Sequence, residues 1–465
     1  MKHTYALLAA TLFASLAPLR AAEPAKPRPN VLFIAVDDLN HWVGYLGRNP
    51  QTLTPNMDRL AKRGVWFTRS YCAAPVCNPS RAALMSGLRP GASGVYDNGE
   101  DFQPAIPVEL TLTTQFRKAG YFVGGAGKIF HSSVYRAGEW DDWLGRGKRA
   151  AAEEDNSPAG ALRAGKLIIA PLDCRDEDMP DYRFVDYAIA QLNTKHDKPF
   201  FIACGLTKPH LPWSVPKKYY EKFPLADIQL PPCKEDDLDD LPPVALQMAI
   251  KSGDHEAILK QDGTNTWKQA IRAYLAAINF CDAMVGRLLD AYDRSPARDN
   301  TIICFWSDHG WHLGEKQHWR KFALWEETTR APHIWVVPGV TKPDRRCDRT
   351  VDFMSIYPTL MDLCGLPTPA HVQGKSIRAL LADPQLPWDQ PAITTHRQNN
   401  HTVRSEAFRY THYSDGGEEL YDERNDPYEW TNLVRSAGVK WDRGALDELK
   451  RRLPNDNVPP FDRKQ

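Results

Sequence analysis

The residues best suited to chemistry in this chain fall into a few short groups. The tightest is Cys77-Asn78-Pro79-Ser80-Arg81. A helix opening near Pro79 would set Cys77 beside positive N-terminal amides, the setting of a low-pKa cysteine nucleophile. The alternative is a buried structural cysteine, the usual state of that residue. Asp37-Asp38 and Asp308-His309 offer hard oxygen donors and one imidazole, which suits Ca2+ or Mg2+ better than a thiophilic metal. An aspartate pair after a strand is otherwise a helix cap or a solvated turn. Lys128 with His131, and Lys208 with His210, add cations and acid–base groups. Each is otherwise a solvated lysine or a satisfied histidine. A two-zinc centre would want more clustered histidines than these stretches supply.

Strands must gather these groups. Residues 30–36, 120–124, 199–203, 301–306 and 333–337 are apolar runs rich in β-branched and aromatic side chains. Continuous apolarity without alternation suits strands covered on both faces. Thr54-Pro55 opens a helix that Gly64 closes. A longer helix runs from about 267 to 292, with Ala270, Tyr274, Ala277 and Met284 at helical spacing. Strand alternating with helix predicts a layered α/β domain. In such sheets ligands bind beyond the carboxyl ends of the strands. The first four strands lead into Asp37-Asp38, Gly127-Lys128 with His131, Lys208 with His210, and Ser307-Asp308-His309-Gly310. One sheet edge therefore receives three carboxylates, two lysines and three histidines. Residues 146–165 and 223–266 read as long surface loops or insertions. Beyond 384 the pattern changes. Residues 402–413 and 418–421 read as paired strands joined through Asp415-Gly416-Gly417. The expectation is a catalytic α/β domain over 27–384 and a smaller α+β subdomain with a small antiparallel sheet over 385–465.

The pentapeptide resembles the Cys-x-Pro-Ser-Arg signature of the formylglycine-dependent sulfatases at every fixed position. Val36-Asp37-Asp38, Thr54-Pro55-Asn56, Gly127-Lys128, Lys208-Pro209-His210, Ser307-Asp308-His309-Gly310 and Leu313-Gly314-Glu315 follow in that family's order. The pentapeptide is specific; the other pieces alone are weak. Gly127–His131, Lys208–Pro212, Asp308–Glu315, Leu420-Tyr421-Asp422 and Asn425-Asp426-Pro427 make the chain similar to the iduronate-2-sulfatase-like group.

The resemblance implies an alkaline-phosphatase-like fold, with a large mostly parallel or mixed central sheet between helices. It also implies that a separate maturation enzyme converts Cys77 to formylglycine. The hydrated aldehyde then attacks sulfur through one oxygen and releases sulfate through the other. By the same resemblance Asp37, Asp38, Asp308, His309 and residue 77 hold Ca2+, with Mg2+ as the other candidate. In some relatives an asparagine stands at the position of His309. Arg81 and Lys128 would fix the nucleophile and His131 would take its proton. Lys208 and Lys321 would hold sulfate oxygens, and His210 would protonate the leaving oxygen. Lys316 and Arg320 compete with Lys321 for that role. Trp311 and His312 are candidates for contact with a sugar ring or for packing. His396 and Arg397 are candidates for a substrate carboxylate or for a surface pair.

Composition sets the outer bounds. The chain has 465 residues with 58 Lys+Arg against 58 Asp+Glu, so a whole-chain polycation built for nucleic acid is excluded. Residues 1–22 read as a signal peptide: Lys2 and His3 precede an apolar run too short for a membrane span, and Ala21 and Ala22 follow. The expectation is an exported protein, periplasmic or extracellular, without a membrane span once the signal is removed. Nine cysteines would form a few bridges at most, leaving Cys77 unpaired. The expected substrate is a sulfated carbohydrate, with a 2-O-sulfated uronic acid at a chain end as the candidate. A phosphonate monoester or phosphodiester hydrolase using the same site, and a non-catalytic protein that binds sulfated glycans, are the alternatives.

Overall fold

The computed structural model describes residues 27–131, 135–145, 161–436 and 441–461. The expected signal peptide and most of the 146–165 stretch lie outside the described residues. The centre is an eight-stranded mixed sheet. Its strands are β1 (Asn30–Val36), β2 (Val65–Tyr71), β3 (Phe122–Gly127), β4 (Asp142–Gly145), β7 (Phe200–Leu206), β9 (Thr301–Ser307), β12 (His333–Val336) and β13 (Arg345–Asp352). A small second sheet holds β5 (Leu162–Ala164), β6 (Leu167–Leu172) and β8 (Trp213–Pro216), and β10 (His312–Leu313) pairs with β11 (Trp319–Arg320). A C-terminal sheet runs β14 (Ala392–Thr395), β15 (His401–Arg404), β16 (Phe408–His412) and β17 (Glu418–Asp422), antiparallel throughout.

The order in the large sheet is β13-β2-β12-β9-β1-β7-β3-β4. β9, β1, β7 and β3 are parallel neighbours; β12 runs against both β9 and β2. Side chains of β1 alternate between two cores. Leu32, Ile34 and Val36 meet the helix Gly263–Arg294, while Val31, Phe33 and Ala35 meet Leu84, Phe116 and Tyr357. Burying each large apolar side chain is worth about 1.5–3 kcal/mol. This two-sided burial is why β1 reads as unbroken apolarity. Among the described residues no helix is long and apolar enough to cross a membrane.

Several sequence expectations shift. The strand expected at 120–124 lies at Phe122–Gly127, because pairing with β7 overrides the low strand propensity of its glycines. β2 and β13 were not visible: β2 carries Thr68, Arg69 and Ser70, and β13 is largely charged. Thr54 stands at the N-cap of the helix Pro55–Ala61, as expected, but its hydroxyl accepts from the Gly44 N–H and donates to Asp58 instead of capping a first-turn N–H. The 223–266 stretch is not merely loop. It holds helices Pro243–Ile250 and Asp254–Lys260, which bury Ala245, Ala249 and Ile258. The expected strand at 402–413 breaks into β15 and β16.

The C-terminal sheet is fastened to the larger body. The Thr395 N–H donates to the Ala73 carbonyl and the Thr394 hydroxyl to the Cys72 carbonyl. Buried Arg409 joins Glu326 of the larger body to Glu423 and Glu429, and Arg404 also reaches Glu326 and Glu423. Cys72, Cys77, Cys204, Cys281, Cys304, Cys347 and Cys364 are buried thiols outside any disulfide.

Candidate active site

Strand register builds the floor of the site. Val36 of β1 pairs with Ser307 of β9, so Asp37 and Asp308 leave the sheet side by side. Asp38 follows in the left-handed region, φ 60°, which aspartate tolerates better than most residues. Its N–H donates to Asp308 Oδ1 at 3.0 Å, and its carbonyl accepts the Tyr274 hydroxyl at 2.7 Å. At the neighbouring edge Gly127 of β3 pairs with Gly205 of β7. A Cβ on Gly205 would lie 2.4 Å from the Lys128 backbone, so only glycine lets Lys128 turn in here.

The helix Cys77–Ser86 starts at Cys77 itself, after an extended Val76, rather than near Pro79. Every residue of it is buried. Arg81, one turn on, gives Nε to Asp308 Oδ2 at 2.8 Å and Nη2 to the Val36 carbonyl and Asp37 Oδ1. Its Nη1 donates to the carbonyls of Lys128 and Ile129. A guanidinium has five N–H groups, and these five acceptors take them all. Arg81 therefore clamps three strand ends together, and its charge bears on Cys77 from within that clamp. Ser80 Oγ donates to the Asp308 carbonyl at 2.6 Å.

Lysines and histidines close over Cys77. Lys321 Nζ lies 2.8 Å from both Asp38 Oδ1 and Cys77 Sγ, and Lys128 Nζ pairs with Asp37 Oδ2. The competing cations point elsewhere: Lys316 meets Asp237 and Arg320 meets Asp254. His309 Nδ1 faces the Gly310 carbonyl at 2.9 Å, which makes Nδ1 the protonated nitrogen. Its Nε2 is then a lone-pair donor, 3.3 Å from Asp38 Oδ1 and 3.4 Å from Cys77 Sγ. His210 repeats the pattern, with Nδ1 on the Leu211 carbonyl and Nε2 3.7 Å from Asp38 Oδ2.

Burial would raise the Asp37 carboxyl, but Lys128, His210, Arg81 and Lys321 together hold it well below the usual range. Asp38 is lowered against the same penalty, chiefly by His210 and Lys321. Burial pushes the Cys77 thiol up to about 12, over the opposing pull of Lys128 and Lys321. The expectation of a low-pKa thiolate is thereby overturned: the helix N-terminus does not offset desolvation.

Two overlapping sets, Asp37-Asp38-Cys77-His210 and Asp38-Cys77-Asp308-His309, each bring one donor atom per residue within 4.8 Å of the others. Asp38 Oδ2 is buried and accepts no hydrogen bond. Three carboxylates, an orphaned oxygen and an imidazole lone pair fit a hard divalent cation.

The remaining candidates separate. Lys208 is buried, and its ammonium donates to the Pro212 carbonyl at 2.8 Å. His131 is half-buried, three residues beyond Lys128. Trp311 and His312 are packing residues, each 1% exposed. Trp311 stacks on Tyr274 with its ring 5.6 Å below the Lys321 ammonium, and His312 Nδ1 meets the Thr328 hydroxyl. His396 and Arg397 line a cleft beside Phe322, the residue after Lys321. Sequence reasoning missed Tyr274 as a support of Asp38, since its helical spacing marked it only as core. It also missed Asn78, whose amide binds the carbonyls of Asp97 and Glu100.

Residues 29–366 match the sulfatase family, and residues 314–455 match the family described as N-sulphoglucosamine sulphohydrolase, C-terminal. A sulfatase of Formosa agariphila is 39% identical over 459 residues, 93% of this chain and 87% of its own. The iduronate 2-sulfatase of Homo sapiens is 30% identical over 431 residues, covering 79% of this chain and 78% of its own. The phosphonate monoester hydrolase of Agrobacterium radiobacter superposes with TM-score 0.74 at 22% identity, over 91% of this chain and 93% of that one, and so shares the fold. With the strand-end carboxylates, the buried Cys-Asn-Pro-Ser-Arg helix and these matches in hand, the chain belongs to the sulfatase family and is a sulfuric ester hydrolase.

Proposed function

We propose that the enzyme removes the 2-O-sulfate of a uronic acid at the end of a sulfated glycan, with residue 77 matured to formylglycine. Asp37, Asp38, Asp308 and His309 would hold Ca2+, or Mg2+ in its place. The observation that carries the reading is the convergence of Lys321, Lys128, His309 and three aspartates on residue 77. The 2-O position is supported by the likeness to iduronate 2-sulfatase. The matured residue supplies a hydrate with two hydroxyls, one to attack sulfur and one to expel sulfate. The cation supplies a Lewis acid for a sulfate oxygen.

The chain's own residues do the rest. Lys321 and Lys128 now neutralise Asp38 and Asp37; once a cation takes those carboxylates, both ammoniums are available to an anion in the same dry site. His210, at the accessible side with its Nε2 directed inward, would give a proton to the leaving oxygen from its doubly protonated ring, a form that burial disfavours and Asp38 favours. His131 is the candidate to take the proton of the nucleophile, and Lys208 a further candidate for a sulfate oxygen. A cysteine whose thiol is held near pKa 12 stays protonated at neutral pH. That favours a matured residue over a thiolate. The apolar N-terminal run supports export to the periplasm or beyond, and maturation requires a separate enzyme.

Mass spectrometry of the tryptic peptide 70–81 from the native host tests the chemistry. An aldehyde at residue 77 is expected, and an unmodified thiol would overturn the reading. Sulfate release from a 2-O-sulfated uronate disaccharide tests the substrate. Faster turnover of an aryl phosphonate than of an aryl sulfate would favour the phosphonate hydrolase instead.

A further inference from the structure

Beside residue 77 lies a second feature, a cleft of about 620 Å³. One wall continues from Lys321 into Phe322, and the other includes Asp97, next to the Asn98 side chain that accepts the Asn78 N–H. Both walls are therefore chain neighbours of groups that touch Cys77 or its successor. The volume exceeds what one sulfate needs and falls in the range of sites for ligands of two rings.

The lining has two characters. Pro243, Val244, Met248 and Phe322 give apolar surface of the kind on which a sugar ring rests. Lys166, Lys251, Arg320 and Arg397 bring four cations against the single carboxylate of Asp97. Arg320 is committed to Asp254, and Arg397 stands 3.6 Å from Asp97. Among the described residues Lys251 and Lys166 pair with no carboxylate. His396 lies at the base, 3% exposed, and its Nδ1 has no hydrogen-bond partner. Burial first, then Arg397, His318 and Lys251, press its ring toward the neutral form, so these groups all bear on one point. Three lining residues, Arg320, Phe322 and Arg397, hold left-handed backbones at φ 73°, 79° and 58°. Such conformations gather at ligand clamps.

We propose that this cleft is an anion-reading saccharide subsite, in which Lys251 and Arg397 bind a second negative group of the glycan while its sulfate ester faces residue 77. The proposal rests on the sulfatase reading for the position of the ester. The second anion is a carboxylate of the ring being desulfated or a sulfate of the adjoining ring. His396 is a hydrogen-bond partner for a hydroxyl of that ring.

The test uses the full-length protein carrying Cys77→Ala, which can bind without turnover. Three probes are titrated calorimetrically: a 2-O-sulfated uronate–hexosamine disaccharide with a hexosamine sulfate, its uronate methyl ester, and its hexosamine-desulfated form. The parent should bind about tenfold more tightly than one or both of the others. Weakening by the ester identifies the carboxylate, and weakening by desulfation identifies the adjoining sulfate. Adding Lys251→Ala and Arg397→Asn should erase the difference, and Lys251→Ala alone should reduce it about threefold. Both sites are exposed, and near-ultraviolet circular dichroism checks the fold. Equal affinity for all three probes, absence of binding, or a difference that survives both substitutions would overturn the proposal. Turnover of the parent by the matured wild type reads the sulfatase assignment separately, so either can fail without the other.

Discussion

Lys321 bridges a carboxylate and the residue 77 sulfur at 2.8 Å each. Its charge therefore lies where negative charge must be stabilised. Lys321→Ala in matured enzyme should lower kcat/KM about 10²–10³-fold, as loss of one preorganised donor does elsewhere. Steady-state kinetics on the disaccharide checks it. Glu419 makes a different kind of prediction. It is fully buried and accepts from the Trp325 indole and the Tyr413 hydroxyl, and burial raises it to about 7. An unfolded glutamate titrates near 4.3. Between those values folding takes up a proton, so this group's contribution falls as pH rises from about 4.3 to 7 and is complete only below that window. Glu419→Gln should remove that slope from the pH dependence of the urea midpoint. The aspartates of the candidate metal site were legible because two apolar runs, β1 and β9, lead straight into them at one sheet edge. Tyr274 was not, because a tyrosine at helical spacing is first of all core, and its hydroxyl acts only through the Asp38 carbonyl. The full commitment of Arg81 was equally invisible, since its five acceptors come from three separate stretches of chain.

At the scale of elements, the site depends on how closely β3 and β7 approach at their ends. A methyl group on Gly205 meets the Lys128 backbone at 2.4 Å, and one on Gly127 meets the Gly205 carbonyl at 2.0 Å. Gly205→Ala should thus push Lys128 away from Asp37. The expected outcome is a loss of about 1–3 kcal/mol in denaturant unfolding, as for overpacking, with a larger proportional loss of activity. Strands buried on both faces announced themselves by unbroken apolarity, as β1 and β9 did. β13 did not, because it is an edge strand whose first residues, Arg345 and Arg346, are exposed. The short helices of 243–260 were hidden by Pro242-Pro243 and a high density of acidic residues nearby. Their burial comes from contacts distant in sequence, such as the His318 ring on the Ala249 carbonyl.

For the whole molecule, the two sheets are one structural unit. Glu326 sits between Arg404 and Arg409, and Arg409 in turn reaches Glu423 and Glu429. A chain ended at residue 384 would leave buried Glu326 with Arg330 as the one remaining guanidinium of three, a loss of about 3–5 kcal/mol. It should give insoluble protein or no cooperative thermal transition, where the full chain gives one. The charge network across the expected boundary near 384 was not legible, because like and unlike charges alternate without a recognisable spacing. Net charge of zero likewise hid four cations gathered around one cleft. The seclusion of Cys77 has a consequence for the order of events in the cell. Its side chain is 0% accessible, and the helix it begins has no exposed residue. An enzyme that must grasp this sulfur cannot do so in the finished protein. If residue 77 is matured as proposed, that enzyme would have to meet the chain while the segment around residue 77 is still extended, and the supply of working enzyme would follow a race between that encounter and closure of the core.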